Sequence, residues 1–215
     1  MELKNKKVIF LGDSITEGIG VSTPEKSYVN QFQAKNQPIT VKNYGISGSR
    51  IAKQHRPDPD FPPHERYFST RVEEMDADAD IVVIFGGVND YAHGDAPFGQ
   101  LEDRTVDTFC GACHVLIRSL MEHYPTATVV FMTPLNTLVT PKNKVGSPAP
   151  LIDYVSAIRQ IAQSYSIPVL DLYATSGMNA NILAQKEKMM PDGIHPNDLG
   201  AERIADRLTG FLRSL

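Results

Sequence analysis

The chain has 215 residues, of which 41% are apolar or aromatic and 21% charged, and it carries a formal net charge of −4. That length suits one large domain with a well-buried core, so a single domain over residues 1–215 is expected. The mild acidity and the lack of a basic run exclude a surface for phosphate backbones, and no apolar stretch reaches the roughly 18 residues needed to cross a bilayer; neither nucleic acid nor a membrane span is expected.

Lys4, Lys6 and Lys7 precede an apolar run, but Val8 to Leu11 is too short for the core of an export signal before Gly12-Asp13 intervenes. The segment Lys7 to Leu11 therefore reads as a first strand, and a cytoplasmic location is expected. Further runs rich in β-branched residues predict strands at Ile39 to Tyr44, Ile81 to Phe85, Thr128 to Met132 and Val169 to Leu172. Helix-like segments alternate with them near Glu25 to Lys35, His64 to Met75, Thr105 to His123, Leu151 to Tyr165 and Asn197 to Leu212. This alternation predicts an α/β three-layer sandwich: a five-stranded parallel sheet of flavodoxin-like order 2-1-3-4-5 with helices on both faces. Its switch point lies between strands one and three, and the residues that end those strands, Ser14 and Asn89 among them, should face the crevice.

Cys110 and Cys113, the only cysteines, form Cys-x-x-Cys-His with His114, which is formally the attachment pattern of a c-type haem. They also fall on the stripe Val106, Phe109, Cys110, Cys113, Leu116, Ile117, Leu120 and Met121, whose spacing is that of an amphipathic helix. Free cysteine packs as a small apolar residue, so core thiols are expected, with no haem, other cofactor or metal. Three connections, 52–63, 91–103 and 134–150, are too long to be simple turns and are read as loops that shape a substrate site.

Gly12-Asp13-Ser14 directly follows the first strand. It reads either as a tight turn with a helix cap or as a nucleophile presented where unpaired backbone N–H groups could stabilise an oxyanion. Asp192-Gly193-Ile194-His195 reads either as a surface turn or as a general base whose tautomer is set by a carboxylate three residues away. Asn89, after Gly86-Gly87, is either a cap or a side-chain amide aimed into the crevice, and Gly45 and Gly48 mark a tight loop or a backbone donor.

In this order and in these contexts the four blocks, Gly12-Asp13-Ser14, Gly48 in Ile-Ser-Gly-Ser, Asn89 in Gly-Gly-Val-Asn-Asp and Asp192-Gly-Ile-His195, resemble those of the SGNH hydrolase (GDSL esterase/lipase) family over about residues 6 to 205. The resemblance implies Ser14 as nucleophile, His195 as base with Asp192 behind it, and an oxyanion hole made by the Ser14 N–H, the Gly48 N–H and the Asn89 side chain. It implies a serine esterase acting on a small-molecule ester through an acyl-serine intermediate. The polar residues Arg50, His55, Arg56 and His93 in the loops, with little apolar lining beyond Phe61, Phe98 and Leu138, lean toward a short acyl group such as acetyl on a polar or carbohydrate alcohol. A lysophospholipase or thioesterase is the alternative, and a non-catalytic binding module on the same fold is the rival from another class.

Overall fold

The structure is a computed structural model that describes residues 1–56, 66–141 and 149–215. In chain order it runs β1 (Lys7–Gly12), α1 (Ser14–Glu17), α2 (Tyr28–Asn36), β2 (Thr40–Gly45), β3 (Ile81–Phe85), α3 (Val88–Ala92), α4 (Phe109–His123), β4 (Thr128–Met132), α5 (Leu151–Ser164), β5 (Val169–Leu170), α6 (Leu172–Thr175), α7 (Leu183–Met189) and α8 (Asp198–Ser214). Among the described residues, 3-10 segments lie at Pro24–Lys26 and Phe68–Glu74.

The strands form one sheet of order β2-β1-β3-β4-β5, every pair parallel, as the alternating pattern predicts. Because successive strand residues point to opposite faces, β1, β3 and β4 divide their side chains between two cores. Ile9, Leu11, Val82, Ile84, Val129 and Phe131 pack on one face with α4 and α5, while Val8, Phe10, Ile81, Val83, Phe85, Val130 and Met132 pack on the other with α2 and α8. Burial on both faces explains why these strands read as unbroken apolar runs.

Several boundaries differ from expectation for local reasons. The predicted helix Glu25–Lys35 breaks at Ser27, whose hydroxyl caps α2 by accepting the Asn30 N–H at 3.2 Å. The helix expected from Thr105 starts at Phe109, because Thr108 caps it by accepting the Gly111 N–H. Of the helix expected over His64–Met75, residues 64 and 65 lie outside the described residues, and the remainder is the 3-10 stretch Phe68–Glu74, which buries Phe68, Arg71 and Val72. The last strand stops at Leu170, since Asp171 caps α6 through its side chain. Asn89 does not end β3; Gly86, Gly87 and Val88 intervene and it lies in the first turn of α3.

Cys110 and Cys113 are free and buried in α4, and burial raises the Cys110 thiol to about 11 and also pushes the Cys113 thiol well above its ordinary value. His114 is held between the Tyr165 hydroxyl at 3.0 Å and the Leu101 carbonyl at 2.9 Å. The Cys-x-x-Cys-His run is thus interior packing of a helix. Among the described residues no helix is long and apolar enough to cross a membrane.

Phe10 is fully buried, with edge-on contacts to Tyr28 and Phe32 at 5.7 and 5.5 Å between ring centres. Phe10→Ala should therefore lower unfolding free energy by about 3–5 kcal/mol, measured by urea denaturation. A loss below about 1 kcal/mol would contradict this placement of the β1–α2 core.

Candidate active site

β1 delivers the chain into α1 through Gly12 and Asp13. The Asp13 side chain accepts the Ile15 N–H at 3.0 Å and caps the helix, and Gly18 ends it in the left-handed region at φ 108°. Ser14 is the first residue of α1, so its N–H belongs to the set that a helix leaves without an internal partner. A helix so short and so close to the sheet is possible because Gly12 and Gly45 lack side chains. A Cβ on Gly12 would overlap the Thr16 hydroxyl, and one on Gly45 would overlap the Glu17 backbone nitrogen.

His195 reaches this point from the loop before α8. Its Nε2 lies 3.0 Å from Ser14 Oγ, and its Nδ1 lies 2.6 Å from Asp192 Oδ2. The other Asp192 oxygen accepts the backbone N–H groups of Ile194 and His195 at 2.8 and 2.7 Å, so one carboxylate shapes the turn and orients the ring. Burial works to raise the Asp192 carboxyl, but hydrogen bonds from the His195 side chain and from the two N–H groups outweigh it and hold Asp192 below its usual range. The turn is fixed from outside as well. Leu138 N–H bonds the Gly193 carbonyl at 2.9 Å, and Asn197 N–H bonds the Met189 carbonyl at 2.9 Å. Gly20, at φ 100°, packs where a Cβ would come within 2.8 Å of His195 Cβ.

The third part of the site lies between the loop after β2 and α3. The Asn89 amide donates to the Ser49 carbonyl at 3.2 Å, which sets it beside Gly48. Asp90, buried at the next position, accepts the N–H groups of Ile51 and Ala52 at 3.0 and 2.8 Å and ties the same loop to α3. Gly48 has a φ of 73°, and among the described residues its N–H donates to no protein acceptor. Ser14 and Asn89 are each only 8% exposed. The structure therefore brings Ser14, His195 and Asp192 into one hydrogen-bonded line and joins Asn89 to the Gly48 loop. A serine hydroxyl next to an imidazole that is itself backed by a carboxylate can be deprotonated as it attacks, and unpaired N–H groups nearby can receive an oxyanion.

Among the described residues, no group of three or more His, Cys, Asp and Glu side chains is placed to hold a metal ion. Of the three expected loops, residues 57–63 and 142–148, with Phe61, lie outside the described residues. Asp95 bonds the N–H groups of His55 and Arg56 at 2.9 and 2.7 Å, which fastens the 52–56 and 91–103 segments together. Phe98 was expected to line the site; instead it packs against Phe109 and Tyr154 at 6.1 and 4.9 Å between ring centres and joins the core. Arg50, expected as an open loop residue, is buried. Two polar features had no sequence signal. Buried Arg71 touches the ends of β1 and β2, and Ser22 clips onto Asp198 with 2.7 and 2.6 Å hydrogen bonds from its N–H and hydroxyl.

The sequence profile of the GDSL-like lipase/acylhydrolase family matches residues 10–203, which contain all four blocks of the site. The chain belongs to that family. Among solved structures, a protein from Lactobacillus plantarum is 31% identical and superposes with a TM-score of 0.85, covering 98% of each chain. A two-domain esterase active on acetylated mannans shares the fold at a TM-score of 0.62 and 20% identity, over 97% of this chain and 48% of that one. An acetylxylan esterase from Xylanibacter ruminicola is 24% identical over 96% of this chain. The chain spans 43% of the length of that curated relative.

In this family member Asp13 is an acid kept deep in the protein. Burial raises its carboxyl to about 7, against the lowering effects of the Ile15 N–H and His195. Its folded value lies above the ordinary 3.8, so the native state holds a proton that the unfolded chain releases. The corresponding stability is complete below pH 3.8 and disappears as pH rises through about 7. Asp13→Asn keeps the oxygen that caps α1 but cannot ionise. Its melting temperature should therefore gain on wild type by several degrees between pH 4 and 7.5, measured by calorimetry, whereas a difference independent of pH would show that Asp13 does not titrate in this window.

Proposed function

We propose that the protein is a serine carboxylic-ester hydrolase that passes an acyl group through Ser14 to water, with short-acyl esters, acetyl above all, of a polar or carbohydrate alcohol as its substrates. The observation that carries this reading is the unbroken line Ser14 Oγ, His195 Nε2, His195 Nδ1, Asp192 Oδ2 at 3.0 and 2.6 Å. In the acylation step Ser14 Oγ attacks the ester carbonyl while His195 takes its proton, and Asp192 stabilises the imidazolium without taking the proton itself. The Ser14 N–H, the Gly48 N–H and the Asn89 amide receive the oxyanion. Collapse of the tetrahedral intermediate returns the proton from His195 to the leaving alcohol, and a water activated by His195 then repeats the sequence to release the acid.

Support for a short acyl group comes from the shallow exposure of Ser14 and Asn89, which leaves little open surface at the reacting centre. The similarity to an acetylxylan esterase favours an acetyl group on a carbohydrate. A panel of nitrophenyl esters of rising acyl length, together with acetylated xylo-oligosaccharides, tests both parts, with Ser14→Ala as the blank. The expected result is highest kcat/KM on acetyl. A maximum at eight carbons or beyond would replace this reading with a lysophospholipase or thioesterase, and no turnover by any ester would leave a binding module.

A fluorophosphonate probe should label wild type at Ser14 and leave Ser14→Ala unlabelled, since only a serine with a base in reach and an oxyanion site reacts at useful rates. Asn89→Ala should lower kcat by about 10²- to 10³-fold with little change in KM, because the amide is used in the transition state more than in the bound ester. If that variant were only less stable, with kcat intact, Asn89 would be a brace for the loop and no more.

A further inference from the structure

Among the described residues Arg71 is the largest fully buried side chain, 2% exposed, and it lies in the 3-10 stretch Phe68–Glu74 far along the chain from the four sequence blocks. Its guanidinium donates from Nη1 to the Tyr44 carbonyl at 2.9 Å and from Nη2 to the Gly12 carbonyl and the Ser49 hydroxyl at 3.2 and 3.3 Å. These acceptors have one thing in common. Gly12 is two residues before Ser14, Tyr44 is the next-to-last residue of β2 just ahead of the 45–49 segment, and Ser49 follows Gly48.

The side chain is held rigidly for this task. The Phe68 ring lies 4.7 Å from the guanidinium carbon, the Phe68 N–H is anchored on the Arg50 carbonyl at 2.9 Å, and Phe68 itself fills the space left by the missing side chain of Gly86 at the end of β3. Among the described residues Arg71 forms no direct ion pair, although the nearby Asp13 carboxyl favours its charge, and its Nε has no acceptor. Burial lowers the guanidinium to about 10, which leaves it charged at neutral pH. Burying a cation on neutral acceptors recovers only part of the desolvation cost, so a purely structural filler at this place would be better built from apolar atoms. The planar fork, by contrast, can bridge three oxygens at fixed separations, which a lysine cannot do.

We propose that Arg71 is a positioning residue for the oxyanion site, tying the end of β1 to both ends of the 45–49 loop so that the Ser14 and Gly48 N–H groups converge on one point. The proposal rests on the reading of Ser14 and Gly48 given above. Asp90 holds the far side of the same loop through Ile51 and Ala52, so the donor at Gly48 is braced from below by a cation and from α3 by a carboxylate. Displacing a donor by a fraction of an ångström weakens transition-state stabilisation while leaving ground-state binding almost untouched.

The experiment begins with wild type and Ser14→Ala on nitrophenyl acetate and a fluorophosphonate; turnover and labelling that vanish in Ser14→Ala establish the underlying reading independently. Arg71→Met and Arg71→Lys are then compared for kcat, KM, phosphonylation rate and melting temperature. The expected result is a fall in kcat of about 100-fold for Met and about 10-fold for Lys, KM within about twofold of wild type, and phosphonylation slowed in parallel. Wild-type kcat in either folded variant overturns the proposal, as does a loss expressed mainly in KM. If neither variant folds, Ser49→Ala decides, because it removes the hold of Arg71 on the Gly48 end of the loop while the Tyr44 and Gly12 carbonyls still receive the guanidinium. A several-fold loss of kcat at constant KM supports the proposal, and unchanged kcat overturns it.

Discussion

The close packing of α1 against the ends of β1 and β2 is the contact on which the site depends. The sheet register sets Gly12 level with Gly45 and with Phe85, so three strands end side by side. Nothing larger than hydrogen fits at Gly12 or Gly45 beneath the turn of α1. With those two Cβ atoms absent, Ser14 sits directly over the carboxyl end of β1, and the loops after β2 and β3 carry Gly48 and Asn89 at the same end of the sheet. A side chain at either glycine would lift α1, and the serine with it, away from both.

His195 arrives from the other end of the chain, and its placement is a matter of fastening one loop to another. Asp192 organises its own turn by accepting two backbone N–H groups with the oxygen that does not face His195. The clip from Ser22 to Asp198 then joins the segment after α1 to the start of α8, across 176 positions of sequence. Individually such exposed hydrogen bonds contribute little to stability. Their value lies in holding the Ser14–His195 distance, which sets whether a proton can be passed.

Three ionisable groups, Asp13, Asp90 and Arg71, are buried within a few residues of the proposed reacting atoms. Each is satisfied mainly by backbone groups: Asp13 by Ile15, Asp90 by Ile51 and Ala52, Arg71 by Gly12 and Tyr44. A buried charge bonded to backbone fixes the course of the main chain more tightly than an apolar contact, because losing the bond strands the charge without water. The fold accepts unfavourable desolvation at the crevice and recovers stability in the two apolar cores on either side of the sheet.

Local patterns in the sequence were sufficient for the alternation of strands and helices, the sheet order and the four blocks of the site. Apolar runs buried on both faces, the Asn197 cap, and Gly-rich turns at strand ends all express short-range physics that a linear reading can follow. The break at Ser27, the 3-10 stretch at Phe68–Glu74 and the short α6 and α7 were not legible, because side-chain caps and burial decide those boundaries over weak local preferences. Ser14, His195, Asp192, Gly48 and Asn89 were identified by motif, but their 3.0 and 2.6 Å line and the Asn89 contact with Ser49 arise only when strand register closes distances of up to 181 residues. Arg71 and the Ser22–Asp198 clip carried no motif at all. A charged residue within an amphipathic stretch looks the same in sequence whether it faces water or the sheet, and only packing decided that Arg71 points inward to the ends of β1 and β2.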